Sequence, residues 1–205
     1  MSVHALALSA SHQFTKTLVP EVNLLAGLGV EGDCHLGVTV QHRSRLHISP
    51  PPPNLRQVHL IPKEILDACD VAPGQMGENV TTIGIDLLAL GKGTKLHFLP
   101  PPPTPTTPST TTTTITTNTT TTTPASTTDE DDNATATTLQ TPHAVVVIQG
   151  LRNPCPQIDR FRAGLKEQFI VRDGERRIVG RTAGVMGTVE AGGLVEGGGE
   201  VLGCV

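Results

Sequence analysis

A low-complexity stretch divides this chain and limits what the rest of it can fold into. Residues 100–142 consist of a proline cluster, long threonine runs and an acidic run at 129–132, with few apolar side chains. Such a segment cannot bury enough apolar surface to offset the entropy of ordering its backbone. We therefore predict a disordered Thr-rich insertion, and residues 1–99 and 143–205 must form the two parts of one folded domain.

The segments around the insertion predict a mainly β fold. The segment Lys95–Leu99 and the apolar, β-branched run at residues 144–148 predict two strands, and a hairpin tolerates a long insert because loop-closure entropy grows slowly with length. Proline at position 62 predicts the start of a short helix with Cys69 on its apolar face. Other predicted strands lie at 3–9, 55–61, 181–189 and 200–202. Many short strands with glycine turns indicate a mainly β (α+β), closed or nearly closed β-barrel with a few short helices.

Charge and composition exclude several function classes. The chain has 15 basic and 19 acidic residues, and without the four acids at 129–132 the balance is 15 against 15. It therefore lacks the basic footprint of a nucleic-acid-binding protein, and with no Trp and no Tyr it lacks a base-stacking platform. No apolar run suits a membrane span or a signal peptide. We expect a cytoplasmic protein without nucleic-acid or membrane partners.

The segment 151–159 has the clearest chemical signal. It follows the second predicted strand, which we expect to end at Gly150, and prolines on both sides fix the backbone of Cys155. A thiolate is the reactive or metal-binding form of cysteine, and Arg152 would supply a nearby cation that favours it. The alternative is a buried structural cysteine, because free cysteine is among the most buried residue types.

Two other segments carry polar groups beside glycines. In an extended chain Asp33 and His35 point to the same side, where they form a base, a hydrogen-bond clamp or a metal site; the alternative is an Asp-stabilised turn. Glu78, Asn79 and Thr81 are typical of a polar pocket floor, or of a turn that starts a strand. A basic cluster between them is either a solvated loop or an anion-binding lip, and contains His42, Arg43, Arg45 and His47.

Five segments, in this order, resemble the MOSC domain, the family named after the C-terminal domain of molybdenum cofactor sulfurases. They cover the chain from about residue 20 to its end, apart from the insertion. Each motif alone is weak, and the ordered set is specific. The segments are GVEGDCH (29–35), RQVHLI (56–61), PGQMGENVTT (73–82), LRNPC (151–155) and AGVMG (183–187).

The resemblance implies a stand-alone MOSC-type β-barrel that binds the molybdenum cofactor (Mo-molybdopterin) through Cys155. It implies molybdenum-dependent reduction of N-hydroxylated compounds or sulfur transfer, with a small-molecule substrate and an electron-donor or sulfur-donor protein as partner. Pyridoxal phosphate is a family-level label only, because it belongs to the separate desulfurase domain of fused sulfurases. The chain departs from the family at Cys34, where arginine is common, and at Glu200, where a Gly-Asp turn is common.

Roles for individual residues follow from the same resemblance. The soft Cys155 thiolate would bind molybdenum. The residues expected to bind the cofactor are Asp33, Asn79, Thr81, Arg152 and Asn153. Those expected to support the site or transfer protons are His35, Glu78 and Arg56.

Two alternatives stay open. One is a non-catalytic module that carries the cofactor, or a persulfide on Cys155, for a partner enzyme. The other is a zinc site from Cys155, His35 and Cys34, which lacks regular ligand spacing.

Overall fold

The structure, a computed structural model, describes residues 1–42, 45–102 and 143–204. Most of the predicted insertion therefore lies outside the described residues. The strands in the described ranges are β1 (Ser2–Leu8), β2 (Thr17–Val19), β3 (Glu21–Leu25), β4 (Gly29–Val30), β5 (Val58–Pro62), β6 (Val80–Ile83), β7 (Lys95–Leu99), β8 (Ala144–Leu151), β9 (Ile170–Arg172), β10 (Ile178–Arg181), β11 (Val185–Ala191), β12 (Gly193–Glu196) and β13 (Glu200–Cys204). The helices are α1 (Lys63–Ala68), α2 (Gln157–Phe161) and α3 (Leu165–Gln168).

Seven strands close into a mixed barrel in the order β13-β7-β8-β11-β5-β6-β1. Neighbouring strands are antiparallel except β5 and β6, which are parallel. The barrel closes where β1 meets β13: Ser2 pairs with Glu200, and the amide of Val3 donates to the carbonyl of Gly199 at 2.8 Å. The predicted closed β-barrel is confirmed, and so is the closing strand near the end of the described chain.

Strand β5 separates two apolar clusters. Val58 and Leu60 point into the barrel, whose interior is filled by apolar side chains, among them Val146 and Val185. Ile61 points outward into a second cluster, where it meets α1, α2 and α3 through residues such as Leu66. All five positions of β5 are buried, so this strand is covered on both faces.

The predicted hairpin around the insertion is confirmed, with Lys95 opposite Val147 and Phe98 opposite Ala144. The predicted end of its second strand at Gly150 is wrong. Strand β8 continues to Leu151, because Gly150 adopts φ 140° and lets the strand pass through an irregularity in its pairing with β11. This extension places the following residues at one end of the barrel.

The predicted strand at 181–189 is also wrong as a single element. It is divided between β10, which forms a hairpin with β9, and β11, which lies in the barrel. The break falls at Gly184, whose φ of +92° ends a regular strand. Strands β3 and β12 were not predicted; β3 pairs with β12 on one side and with β4 on the other, in a small side sheet. No helix in the described ranges is long and apolar enough to cross a membrane.

Candidate functional site

A cleft of ≈ 540 Å³ opens at the end of the barrel where β8 leads into α2. Its volume lies within the range of roughly 300–1,000 Å³ that ligand sites usually have. The loop before β5 forms one side, and the segment around Cys155 forms the other. Five of the predicted site residues line this cleft: His35, Arg56, Arg152, Asn153 and Cys155. Chain segments separated by more than a hundred residues thus meet at one site.

Arg152 lies at the bottom of the cleft and is only 2% exposed. Its backbone amide donates to the carbonyl of Gly184 at 2.8 Å, which fixes it beside β11. The side-chain atoms Nε and Nη1 have no hydrogen-bond partner. Burial, reinforced by neighbouring Arg56, lowers the pKa of Arg152 to about 9, although the Cys155 thiol and the Glu78 carboxyl act against this. A buried guanidinium with two unused donors is costly unless an anion joins it.

Arg56 adds a second guanidinium to the same cleft. It is half-buried, and its side chain has no hydrogen bond or ion pair with any residue that the structure describes. Burial lowers its pKa, while Cys155 and Asp33 oppose that shift. Within the described residues no Asp or Glu side chain lines the cleft. The positive charge at its floor is therefore available to a ligand.

Cys155 is half-buried and lies between the two prolines that precede α2. Its Sγ lies 3.7 Å from Oε1 of Gln157, and the thiol also interacts with the guanidinium of Arg152. One side of Cys155 packs against the second apolar cluster. The arrangement holds one thiol in a cleft beside two unpaired cations, which is suited to a thiolate acting as a metal ligand or nucleophile.

Asp33 lies behind the cleft wall as a hydrogen-bond centre. Its Oδ2 accepts from Nζ of Lys16 at 2.6 Å and from Nδ2 of Asn79 at 3.1 Å, and its Oδ1 accepts from the amide of His35 at 3.0 Å. Burial alone would raise the pKa of Asp33, but the hydrogen bonds from His35 and Lys16 outweigh it and hold the pKa far below its usual range. Asp33 therefore anchors cleft residues rather than lining the cleft.

His35 reaches the cleft from this anchor. Its Nδ1 lies 3.2 Å from Oδ1 of Asp33, which leaves Nε2 as the ring nitrogen for a ligand when Nδ1 carries the proton. Burial lowers the pKa of His35, and Arg56 lowers it further, while the hydrogen bond with Asp33 raises it. A neutral imidazole with a free acceptor is suited to taking up a proton at Nε2.

The residues that could hold a metal ion in the structure differ from the zinc ligands that were predicted. The ligand atoms of Asp33, Cys34 and His35 lie within 4.8 Å of one another, and Cys155 does not belong to this group. The ammonium of Lys16 already pairs with the Asp33 carboxylate in that cluster. A cation at this carboxylate would compete with that ammonium, so the cluster is a hydrogen-bonded anchor and not a convincing metal centre.

The predicted polar floor lies beneath the cleft rather than in it. The Glu78 carboxylate accepts hydrogen bonds from the amide of Gly74, from the amide of Met76 at 3.1 Å and from Oγ1 of Thr81 at 3.3 Å. Burial raises the pKa of Glu78. Asn79 uses its amide on Asp33 and on the carbonyl of Ala7. Glu78, Asn79 and Thr81 therefore brace the turn under the cleft, with their hydrogen bonds made within the protein.

Sequence reasoning did not single out Lys16 or Arg160. Lys16 is a buried lysine whose partner, Asp33, is 17 positions away, so nothing in its local sequence marks it. Arg160 lines the cleft together with Gln157. These two residues are three positions apart on α2 and therefore share a face, which is a signal that helix spacing offers. His42 and Arg45, predicted as part of a solvated loop or an anion-binding lip, both line the cleft.

Comparison with known proteins shows the fold class. No model of a known protein family matches the sequence, and no curated protein matches it. The crystal structure of the YuaD protein from Bacillus subtilis superposes with a TM-score of 0.62 at 19% identity, covering 98% of this chain and 93% of that one. The crystal structure of YiiM from Geobacillus stearothermophilus superposes with a TM-score of 0.51 at 12% identity, covering 100% of this chain and 73% of that one.

These likenesses concern the fold alone. The chain is a closed, mainly β barrel, and the YuaD and YiiM structures share this architecture. The closed β-barrel that the resemblance implied is thus confirmed. The chemistry of the cleft has to be argued from its own residues.

Proposed function

We propose that the cleft binds the molybdenum cofactor, with the Cys155 thiolate as a ligand of the metal. The observation that carries this proposal is the buried, unpaired guanidinium of Arg152 beside a thiol, in a cleft that no described carboxylate lines. An anionic ligand would accept hydrogen bonds from the two unused donors, and the thiolate would bind a soft metal.

The residues present fit the chemistry of this cofactor. Guanidinium groups bind phosphate through paired hydrogen bonds, and Arg152 and Arg56 offer two such groups at the floor. Asn153 lines the same cleft and adds an amide. When bound, the cofactor supplies two-electron redox chemistry of the kind that reduces N-hydroxylated compounds. The protein's own part is to hold the anion and to accept or donate a proton at Nε2 of His35.

Sulfur transfer is the second candidate. Cys155 is half-buried at a cleft wall beside two guanidinium groups, and these favour an anionic sulfur such as a persulfide on Sγ. In this case the module carries cofactor or sulfur for a partner enzyme, and a sulfur-donor protein takes the place of the electron donor. The enzyme and the carrier would use the same site, and only the enzyme would turn over an N-hydroxylated compound.

The test is the molybdenum and persulfide content per folded protein, purified from a host that makes the cofactor. We expect Cys155→Ser to abolish the bound content and to leave the fold intact. Cys69→Ser is the matched control, because Cys69 packs at the end of α1 and does not line the cleft; it should cost stability without a binding defect. Full content in Cys155→Ser would overturn the proposal. Turnover of an N-hydroxylated compound with an external electron donor then distinguishes an enzyme from a carrier.

A further inference from the structure

The cleft has two levels that differ in their chemistry. Its floor continues into a smaller recess of ≈ 50 Å³, which Lys16, His35, Arg56 and Arg152 line. Arg45 and Arg160 line only the larger, outer part. We call these two arginines the rim pair. Floor and rim therefore offer separate positive charges, and the proposed cofactor accounts for those of the floor alone.

The rim pair has no counter-charge on the described part of the protein. Neither Arg45 nor Arg160 makes an ion pair with a described residue, and both are exposed. Outside the cleft, Arg162, Arg172 and Arg177 each lie within 4.0 Å of a carboxylate oxygen, whereas Arg176 and Arg181 have no such partner among the described residues. Because no described Asp or Glu lines the cleft, the two arginines at its mouth mark a place for an external anion.

The wall of the outer cleft is largely apolar. Pro52 and Leu55 come from the loop before β5, and Pro154 and Met186 come from the opposite side. Leu55 is 44% exposed although it faces a concave surface. A ligand with an apolar body would cover this wall and remove it from water, which is favourable in proportion to the area buried.

We propose that the outer cleft selects an organic anion as substrate: a molecule with an apolar body against the proline-lined wall and a carboxylate or similar oxyanion held by Arg45 and Arg160. This inference rests on the proposed function, because it assigns the floor to the cofactor and the rim to the substrate. The rim pair determines specificity by charge, and the wall contributes affinity by burial.

The test is binding of a matched pair of probes, 2-naphthylacetate and its neutral amide, followed by fluorescence anisotropy. The chain has no Trp and no Tyr, so the naphthalene emission is measured without their background. At low ionic strength we expect the carboxylate to bind about tenfold more tightly than the amide, since its hydrogen bonds to guanidinium are charge-assisted. Exchanging both rim arginines, Arg45→Gln with Arg160→Gln, should bring the two affinities close together.

Arg177→Gln is the control, because it removes one positive charge from the distant β9–β10 hairpin and should keep the preference. Equal affinity of the two probes for the unchanged protein, or a preference that persists in the rim double variant, would overturn the inference. So would a preference that Arg152→Gln abolishes while the rim double variant keeps it, because the head group would then lie at the floor. Molybdenum content measured on the same preparations reports separately on the proposed function.

Discussion

Arg152 is a residue whose position favours ligand binding at the expense of stability. It is buried, it is charged, and its Nε and Nη1 bond to nothing in the protein. Each of these two donors loses its hydrogen bond to water on burial, and nothing in the protein compensates for this desolvation cost until an anion binds. The same side chain is therefore the strongest evidence for an anion site and a weak point of the ligand-free fold.

Replacing this side chain should accordingly stabilise the ligand-free protein. We expect Arg152→Met to raise the free energy of unfolding by about 1–3 kcal/mol, because an unpaired buried charge is exchanged for an apolar chain of similar length. Urea unfolding with and without inorganic phosphate measures this, and phosphate should stabilise only the unchanged protein. The matched control is Arg162→Met, which removes a guanidinium bonded to the carbonyls of Cys69 and Asp70 and should destabilise. A destabilised Arg152→Met would contradict the prediction.

Asp33 predicts a dependence of stability on pH. Its pKa in the folded protein is well below its usual value, because the hydrogen bonds from His35 and Lys16 outweigh burial. A carboxyl with a depressed folded pKa stabilises above its unfolded pKa of about 3.9, and this contribution is lost as the pH falls toward the folded pKa. Burial acts in the other direction on Lys16, whose pKa it lowers despite the same ion pair. The charge of Asp33 and its hydrogen bond with Lys16 oppose this shift.

Asp33→Asn should therefore cost about 3 kcal/mol near pH 7, because it leaves the Lys16 ammonium buried without its partner. The difference from the unchanged protein should shrink as the pH falls below about 3.9. Chemical unfolding at a series of pH values measures both. Asp67→Asn, which removes an exposed i,i+4 pair with Lys63, is the control and should change little. If the difference in free energy of unfolding between Asp33→Asn and the unchanged protein did not depend on pH, the charge of Asp33 would not be the source of the stabilisation.

At the scale of single elements, the break between β10 and β11 positions the floor of the cleft. Gly184 has φ +92°, and a Cβ at this position would meet the carbonyl oxygen of Leu60 at 2.2 Å. The carbonyl of Gly184 accepts a hydrogen bond from the backbone amide of Arg152. The close approach of β11 to β5 and the placement of Arg152 thus depend on one glycine.

Gly184→Ala should cost about 3 kcal/mol, because both the backbone conformation and the contact with Leu60 become strained. The control is Gly164→Ala: Gly164 also has a positive φ, of +77°, and a Cβ there meets nothing within 4 Å. That change should cost about 1 kcal/mol from conformation alone. Thermal unfolding of both variants gives the comparison, and equal losses would rule out the contact with Leu60 as the cause.

At the scale of the whole molecule, the barrel joins the two parts of the chain on either side of residues 100–142. Strands β7 and β8 are paired residue by residue up to Phe98 and Ala144, so their ends lie side by side. We expect replacement of residues 100–142 by a short Gly-Ser turn to preserve cooperative thermal unfolding, since shortening a loop reduces the closure entropy. A variant with the same residues in scrambled order is the control. Loss of cooperative unfolding in the shortened protein would contradict the prediction.

The sequence allowed the architecture and part of the site to be predicted for identifiable reasons. Strand signals are local, so the β7–β8 hairpin and β13 were found from their own residues. Cys155 and Arg152 were found because a strand end, two prolines and a cation are adjacent in sequence. The roles of Asp33 and Glu78 were not predictable in this way. Both carboxylates point toward partners that only the tertiary structure supplies, and local pattern cannot distinguish a ligand-binding group from one already bonded within the protein.

The two-sided burial of β5 has a consequence for the way the chain is made on the ribosome. Val58–Pro62 is mostly apolar and is covered on both faces, yet one of its partners is β11, whose residues emerge more than a hundred positions later. Until β11 has been synthesised, the nascent chain exposes β5 without this partner, and residues 100–142 lengthen the interval between the two strands. Slow, non-local pairing of this kind favours aggregation during synthesis. Yield in a heterologous host should therefore depend on translation speed and chaperone supply more than on the stability of the finished barrel.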